Sequence, residues 1–541
     1  MRVIGFQFLI SCAIVYSSIM RAVPSANKKS FEEKPQEGYQ LLKNEPNAIS
    51  TKTPEQLNGV EEEVKKEFST FSAEKVSSVG NQIKKYTEEK GSELNGGTIE
   101  EVTEDGKAYT PFFEGDIILT KEGEDEIMYD EEHDGTERVK RQVYRGVKRM
   151  WPNGLVYYSF AANATDRTKR VFKKSANAWS EDTCINFEES ETAPDRAVVY
   201  NSLGCATYVG RIGGKQSVYL GQMCDTIHRT AHEIGHTLGF FHTQSRPDRD
   251  NYIKIIWENV MTYLHKEFAK ETESVINTYN LPYEYGSIMH YSARSTSYDY
   301  KPNIIPHPDE RYLQTLGSPM ISFYDKLAIN LHYKCFDKCK DKHWKNCQNG
   351  GFPHPRDCRR CVCPSGYGGK YCNERPSGCG KILYAKTWFN TLNDTVGRED
   401  YIPSDPNDEF LMCNYWIEAQ AGSTIEVRFD SYSRGGFSDG CKNSGVEIKT
   451  ENDTRLTGYR LCDNRTAGMS FNSTRNVVPV ITYNRFDPMT TVLSYRIVSS
   501  DPTKCKDSAI CAVLLRLKPC TFSTTDGYWR KYCPKSCGFC L

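Results

Sequence analysis

The hydrophobic pattern divides the chain into a polar first part and a more regular second part, with the change near Trp151. From residue 23 to residue 141 few apolar positions recur at any period, and Glu, Lys, Ser and Asn are frequent. Such a segment buries too little apolar surface to offset its conformational entropy, so we expect it to be flexible or weakly helical.

The second part predicts regular secondary structure. The apolar run Leu155–Phe160 predicts a strand, and helical spacing over 162–179 predicts a helix with Asp166 as its N-cap. Two more strands and a second helix are predicted at 198–200, 217–220 and 226–240. That helix is expected to end near Gly239, and the mixed α/β domain is expected to close near Cys335.

Cysteines mark three further modules downstream. A small disulfide module holds Cys339, Cys347, Cys358, Cys361, Cys363 and Cys372. Alternating segments such as 424–429 predict an antiparallel sandwich, which carries Cys379, Cys413, Cys441 and Cys462. A terminal knot holds Cys505, Cys511, Cys520, Cys533, Cys537 and Cys540. Modules this small depend on disulfides because they cannot build a large core.

Composition narrows the class of protein. The 541 residues include 69 Lys and Arg against 70 Asp and Glu, a balance that argues against a nucleic-acid binder. Hydrophobic residues make up 38% and the mean hydropathy is −0.62, which excludes a protein with many membrane spans. The 21 cysteines indicate an oxidising compartment.

The N-terminus agrees with that compartment. Arg2, an apolar run over 3–15 and the small residues after it are typical of a signal peptide at 1–22, with a signal anchor as the alternative. Removal of Cys12 would leave 20 cysteines, an even number that fits full pairing. Candidate glycosylation sites are Asn163, Asn393, Asn452, Asn464 and Asn472.

A basic cluster, Arg138-Val139-Lys140-Arg141, lies where the composition changes. That position favours a processing site for a secretory convertase over a solvated surface cluster, and cleavage there would free Gln142. Residues 23–141 would then be a propeptide. A second basic pair, Lys148-Arg149, could compete for the convertase.

The chemistry is concentrated in the string from His232 to His242. His232 and His236 lie one helical turn apart on one face, so both imidazoles can bind one Zn²⁺. Gly239 can stop the helix and return the chain, which would bring His242 to the metal as a third ligand. Three protein ligands leave an open position, as in catalytic zinc sites, and Glu233 lies beside it as a candidate general base acting on water. The alternative is a helix with solvated or core histidines.

A second string follows at Ser287-Ile288-Met289-His290-Tyr291. A methionine turn beneath the metal is the second signature expected of zinc peptidases with three histidine ligands in this arrangement. These strings resemble the astacin family of zinc endopeptidases, within the metzincins. Segments 205–211 and 246–251 extend the resemblance. It implies that Tyr291 ligates zinc and swings away to stabilise the oxyanion.

Other roles are also implied only by this resemblance. Cys184 would pair with Cys335, and Cys205 with Cys224. The edge strand near 208–215 would align an extended substrate. Phe113-Glu114-Gly115-Asp116 resembles the propeptide motif in which the aspartate, here Asp116, occupies zinc and keeps the zymogen inactive. A simple Gly-Asp turn is the alternative interpretation of that motif.

The later modules resemble an EGF-like domain, a CUB domain and a ShK-toxin-like (ShKT) domain. The domain prediction is therefore a signal peptide, a propeptide, a protease domain, and EGF-like, CUB and ShKT domains at 1–22, 23–141, 142–336, 337–373, 379–498 and 505–540. The acidic residues of the CUB-like segment leave calcium binding open. The whole arrangement resembles the extended astacins of nematodes.

One position departs from the family pattern, because Thr243 stands where astacins carry a Glu that pairs with the buried mature N-terminus. Gln142 could cyclise to a neutral pyroglutamate, or the N-terminus could stay in solvent.

The resulting prediction is a secreted zinc endopeptidase without a membrane span, activated by a convertase and acting on extracellular proteins or peptides such as matrix or cuticle components. A catalytically inactive binding protein and an adhesive or channel-binding tail are the competing hypotheses.

Overall fold

The computed structural model describes residues 113–120, 143–144, 147–201, 204–221, 224–272, 275–297, 300–339, 346–398, 409–433, 438–500, 506–517, 520, 529, 532–533 and 535–537. The predicted signal peptide, the basic cluster at 138–141, Gln142, Cys12, Cys505 and Cys540 lie outside these residues.

A six-stranded sheet forms the first half of the region 113–336, which begins with β1 ahead of the predicted protease domain. Its strands are β1 (Ile117–Ile118), β3 (Leu155–Phe160), β4 (Asn186–Glu189), β5 (Arg196–Tyr200), β6 (Cys205–Tyr208) and β7 (Lys215–Leu220), and β2 (Val143–Tyr144) lies apart from it. The order is β1-β6-β7-β5-β3-β4, in which only β6 and β7 run antiparallel to each other. The predicted strands at 155–160, 198–200 and 217–220 all lie in this sheet.

Two helices pack on the sheet, α1 (Asp166–Glu181) and α2 (Ile227–Thr237). The N-cap of α1 is Thr165, whose hydroxyl accepts a bond of 3.1 Å from the amide of Thr168, so the predicted cap at Asp166 is wrong by one residue. Asp166 instead lies in the first turn, where its charge favours the helix dipole. Helix α2 ends at Thr237, earlier than predicted, and Gly239 follows with φ of +112°.

Two tryptophans fix α2 to the rest of the core. The indole nitrogen of Trp179 on α1 donates to the carbonyl of Ala231 at 2.8 Å. The indole nitrogen of Trp151 donates to the carbonyl of Thr237 at 2.9 Å, at the end of the helix. Both side chains are buried, so apolar burial and satisfied polar groups act together to hold the helix in one orientation.

The second half of the region has little regular structure. It contains β8 (Ile253–Ile255), β9 (Ile276–Asn277), β10 (Ile304–Pro306) and α3 (Phe323–His332), together with short 3₁₀ turns. Strand β8 pairs with β10, and β9 pairs with β2. Ser322 and Asp325 form a capping box at the start of α3. Disulfides join Cys184 to Cys335 and Cys205 to Cys224.

Two further units follow in the chain. A hairpin of β11 (Phe352–His354) and β12 (Asp357–Val362) carries the disulfides Cys339–Cys358, Cys347–Cys361 and Cys363–Cys372. The next unit, 379–500, is called the sandwich here because a five-stranded and a four-stranded sheet enclose its core. It contains the disulfides Cys379–Cys413 and Cys441–Cys462.

The five-stranded sheet of the sandwich consists of β13 (Ile382–Tyr384), β15 (Leu411–Glu418), β17 (Ser444–Ile448), β18 (Tyr459–Leu461) and β20 (Val477–Asn484). The four-stranded sheet consists of β14 (Asn390–Val396), β16 (Ser423–Tyr432), β19 (Ser470–Asn472) and β21 (Met489–Ser500). All pairs are antiparallel except β13 with β15, so the predicted antiparallel architecture is nearly complete.

The last described helix is α4 (Cys511–Leu517), near the disulfides Cys511–Cys533 and Cys520–Cys537. Across the described residues, every helix is too short or too polar to span a bilayer.

Candidate metal centre

Three imidazoles converge at the end of α2. The Nε2 atom of His232 lies 3.0 Å from that of His236 and 3.1 Å from that of His242. The helix supplies the first two residues from one face, and the turn at Gly239 returns the chain to supply the third. All three side chains are buried.

The outer ring nitrogens determine which way each imidazole presents its lone pair. The Nδ1 atom of His232 lies 2.7 Å from the carbonyl of Ile288, and that of His236 lies 2.8 Å from the carbonyl of Phe240. A carbonyl oxygen only accepts, so Nδ1 carries the proton in both rings. The Nδ1 of His242 lies 2.8 Å from a carboxylate oxygen of Glu114 and has the same role. The three Nε2 lone pairs therefore point at one place, which requires a cation.

Asp116 closes the fourth side of the group. Its Oδ2 lies 3.1 Å from Nε2 of His232, and its Oδ1 lies 3.4 Å from Nε2 of both His236 and His242. Oδ1 is buried and lacks a hydrogen-bond partner among the described residues. The four ligand atoms lie within 4.8 Å of one another.

A zinc ion fits this donor set. Tetrahedral coordination at about 2.0–2.1 Å places ligand atoms about 3.3–3.4 Å apart, close to the separations seen here. Asp116 is buried against the three imidazoles, so an ionised carboxyl there needs positive charge beside it, which a bound cation would supply.

Met289 lies beneath the histidines and packs against α2. A Cβ atom on Gly235 would lie 2.5 Å from the sulfur of Met289, so only glycine permits this approach. The carbonyl of Met289 accepts a bond of 2.9 Å from the amide of Thr243, the residue after the third histidine. The methionine turn is therefore joined to both the first and the last part of the zinc string.

Asp325 supports the same turn from α3. Its carboxylate accepts a bond of 2.6 Å from the hydroxyl of Ser287 and one of 3.0 Å from the amide of Ile288. Because the carbonyl of Ile288 holds His232, Asp325 acts on the metal group through one intervening residue.

Tyr291 lies beside the third histidine, with its ring centroid 4.7 Å from that of His242. The hydroxyl donates to the backbone carbonyl of Glu114, and the amide of Tyr291 donates to Oε1 of Gln244 at 3.0 Å. Asp116, from the same segment as Glu114, lies against the Nε2 atoms of the three histidines.

That segment continues as β1 along the sheet edge. Ile117 pairs with Thr207 and Ile118 with Tyr208, in parallel. Strand β6 is the outermost strand on this side among those after residue 142, and β1 covers it. The whole of 208–215 is not one strand, because Gly210, Gly213 and Gly214 turn the chain with positive φ.

The other candidate residues are placed as follows. Glu233 is fully buried directly after His232. The five candidate glycosylation sites, Asn163, Asn393, Asn452, Asn464 and Asn472, are all exposed. Glu114, Gln244 and Asp325 were not singled out from the sequence. Only Glu114 left a signal there, as an acidic residue two positions before Asp116.

The described site combines a helix with two histidines, a third histidine after a glycine turn, and a methionine turn below, which is the pattern of a metallopeptidase domain. Comparison with known proteins agrees. The model of the astacin peptidase family matches 143–334, and a "ShK domain-like" model matches 504–540. The chain belongs to the astacin family, whose relatives here are named as zinc metalloproteinases.

Similar proteins come from the nematode Caenorhabditis elegans. "Zinc metalloproteinase nas-31" is 40% identical over 415 residues, which is 75% of this chain and 66% of that protein. "Zinc metalloproteinase nas-25" is 35% identical over 67% of this chain and 91% of the relative. This chain also matches 61% of the length of "Zinc metalloproteinase nas-32". The chain therefore spans less than two thirds of nas-31 and of nas-32.

Among solved structures, the high choriolytic enzyme 1 of the medaka fish Oryzias latipes, a hatching enzyme zinc-protease, is 28% identical. It matches 37% of this chain and 99% of its own, with a TM-score of 0.32.

Proposed function

We propose that the protein is a zinc-dependent endopeptidase that hydrolyses internal peptide bonds of extracellular proteins and is made as a latent zymogen. One observation carries this proposal: three Nε2 atoms converge with their outer nitrogens bonded outward, and a buried carboxylate, Glu233, directly follows the first of them. A purely structural site would have no need of that acid.

His232, His236 and His242 would hold the zinc, which when bound acts as a Lewis acid toward water and the substrate carbonyl. Glu233 takes a proton from the attacking water and later delivers it to the leaving amine. Its position supports this role, since it is fully buried and directly follows His232.

Tyr291 donates its hydroxyl hydrogen to the oxyanion that develops on the scissile carbonyl. The hydrogen bond from its backbone amide to Gln244 holds the backbone of Tyr291. The hydroxyl can exchange the carbonyl of Glu114 for a substrate oxygen after the propeptide leaves. Removing this hydroxyl should cost less than removing Glu233, because the Lewis acid still stabilises charge.

Latency would depend on two acids of the propeptide. Asp116 takes the fourth ligand position, and Glu114 binds the outer nitrogen of His242. Convertase cleavage at 138–141 would release this segment and free the edge strand β6 for an extended substrate. The mature chain would begin at Gln142, as pyroglutamate or in solvent, since Thr243 cannot pair with an ammonium there.

The proposed layout keeps the boundaries predicted from the sequence, with 337–373 as an EGF-like spacer and 379–498 as a CUB domain. Secretion is supported by nine described disulfides and five exposed sequons. Matrix or cuticle proteins are the proposed substrates, and the terminal modules would position the enzyme on them.

The test is cleavage of a peptide library by the convertase-processed, zinc-loaded protein beside its Glu233→Gln variant. Cleavage by the wild type alone supports the proposal and gives the residue preference around the cut. Intact peptides with both proteins, each folded and containing zinc, would favour a binding protein that has kept the fold.

A further inference from the structure

Residues 284–294, called the Met-turn segment here, include Met289 and Tyr291. This segment bears on the geometry of the metal centre, because its backbone bonds to one histidine and to the two residues that follow another. The carbonyl of Ile288 bonds to His232, the carbonyl of Met289 to the amide of Thr243, and the amide of Tyr291 to Gln244. Whatever fixes the two ends of the segment therefore acts on the site.

The sandwich holds the first end. The carboxylate of Glu284 accepts bonds from the amide of Thr457, at 3.2 and 3.3 Å, and from the amide of Gly286, at 2.9 Å. Thr457 also covers Gly286 so closely that a Cβ there would lie 2.4 Å from the threonine side chain. Both Glu284 and Thr457 are buried, so water does not weaken these contacts.

The sandwich also holds the second end. The guanidinium of Arg294, three residues after Tyr291, forms an ion pair with the carboxylate of Asp439. The next sandwich residue, Gly440, lies against Gly317, where a Cβ on Gly440 would lie 2.0 Å from the carbonyl oxygen. Gly317 in turn covers Ser292, with a Cβ placed 2.7 Å from that side chain.

An aromatic column joins the middle of the interface. Tyr285 of the Met-turn segment stacks on Tyr312 with ring centroids 4.6 Å apart, and Tyr312 packs on Tyr459 of the sandwich at 4.3 Å. These contacts form one continuous hydrophobic cluster with the core of the sandwich. A module that served only as a tethered adaptor would not need to share a core with the loop that carries Tyr291.

We propose that the sandwich is a structural part of the active site, and that Thr457 and Asp439 are positioning residues that fix the Met-turn segment at both ends. This inference rests on the proposed endopeptidase function. The sandwich would thereby set the orientation of Tyr291, in addition to any contact it makes with substrates.

The test uses the full chain, processed and zinc-loaded, with Asp439→Asn as the variant. Glu409→Gln is the matched control, because Glu409 forms an ion pair of 2.9 Å with Lys174 on α1, between the same two units but away from the Met-turn segment. The exchanged pair Arg294→Asp with Asp439→Arg tests rescue. Zinc content, kcat and KM are measured for each protein.

Asp439→Asn should lower kcat about threefold to tenfold and change KM less than twofold, with zinc content unchanged. The exchanged pair should recover most of that loss, and Glu409→Gln should behave as the wild type. The proposal is overturned if Asp439→Asn keeps the kcat of the wild type. It is also overturned if Glu409→Gln loses as much kcat as Asp439→Asn.

Hydrogen exchange keeps this test separate from the question of activity. In an inactive Glu233→Gln background, Asp439→Asn should speed amide exchange across 284–294 at least threefold, whereas Glu409→Gln should not. If the wild type cleaves no peptide but this difference appears, the proposed function fails and the positioning role stands. If the wild type cleaves peptides but Asp439→Asn leaves amide exchange across 284–294 unchanged, the positioning role alone is overturned.

Discussion

The hydroxyl of Tyr291 donates to the backbone carbonyl of Glu114, so the residue proposed to stabilise the oxyanion is bound to the segment proposed to keep the enzyme inactive. The same segment places Asp116 on the histidines and β1 on the sheet edge. The proposed ligand position, oxyanion donor and substrate strand are thus all occupied at once, so release of one short segment would free all three.

Replacing Asp116 should weaken latency. In Asp116→Ala the unprocessed protein loses the carboxylate at the fourth ligand position, so its peptidase activity should rise at least tenfold over unprocessed wild type. The measurement is peptide cleavage before and after convertase treatment. Because the segment is removed on processing, the two mature enzymes should be equally active. Unchanged activity of the unprocessed variant would refute the role of Asp116.

Glu114 should contribute a smaller, separate share of latency. Glu114→Gln keeps an oxygen that can accept from Nδ1 of His242 but loses the charge, whereas Glu114→Ala loses both. Leakage activity should therefore increase in the order wild type, Glu114→Gln, Glu114→Ala, and stay below that of Asp116→Ala. Equal leakage from Glu114→Ala and wild type would show that only the ligand position matters.

Glu233→Gln should abolish catalysis and keep the metal. Loss of a general base typically costs about 10²–10⁴-fold, while the three Nε2 donors are untouched by this change. Metal content by mass spectrometry should equal that of the wild type, with kcat reduced at least a hundredfold. Loss of zinc together with activity would instead assign Glu233 to the metal group.

The change in stability caused by Gly235→Ala tests how closely Met289 packs against α2. Alanine in a helix is ordinarily more stable than glycine by about 1 kcal/mol. Here the added Cβ would lie 2.5 Å from the sulfur of Met289, so we expect a loss of about 1–3 kcal/mol, seen as a lower melting temperature. A higher melting temperature would mean that Met289 moves away without cost.

The zinc string could be predicted from the sequence because its chemistry is local. His232, Glu233 and His236 share one helical turn, and Gly239 must turn the chain for His242 to return. The strand at 155–160 was equally clear. The predicted range of α2 ran to residue 240, but Gly239 has a positive φ, so the helical hydrogen bonds stop at Leu238.

The contacts between distant segments could not be predicted. Glu114 and His242 lie 128 residues apart, and Glu284 and Thr457 lie 173 apart. Nothing in the local sequence of either partner marks such pairs, since a buried carboxylate and a surface carboxylate look alike in a sequence. The segment around Glu114 meets His242 only when it folds onto the histidines, and Glu284 meets Thr457 only when the sandwich packs on the Met-turn segment.

Glu284 should give the fold a measurable pH dependence. Burial raises its pKa from 4.5 to about 7, against the opposing bond from the amide of Gly286. The folded state therefore binds this proton more tightly than the unfolded state, so stability falls as the pH rises from about 4.5 through 7, by at most about 3 kcal/mol.

In Glu284→Gln this contribution is absent. The melting temperature of the variant should exceed that of the wild type at pH 8, and the difference should shrink toward pH 5. Histidine protonation at low pH would also change zinc binding and therefore stability. Zinc saturation is therefore kept equal for both proteins at each pH. Parallel melting curves across this range would mean that Glu284 is ionised at its ordinary pKa and that the first end of the Met-turn segment is open to water.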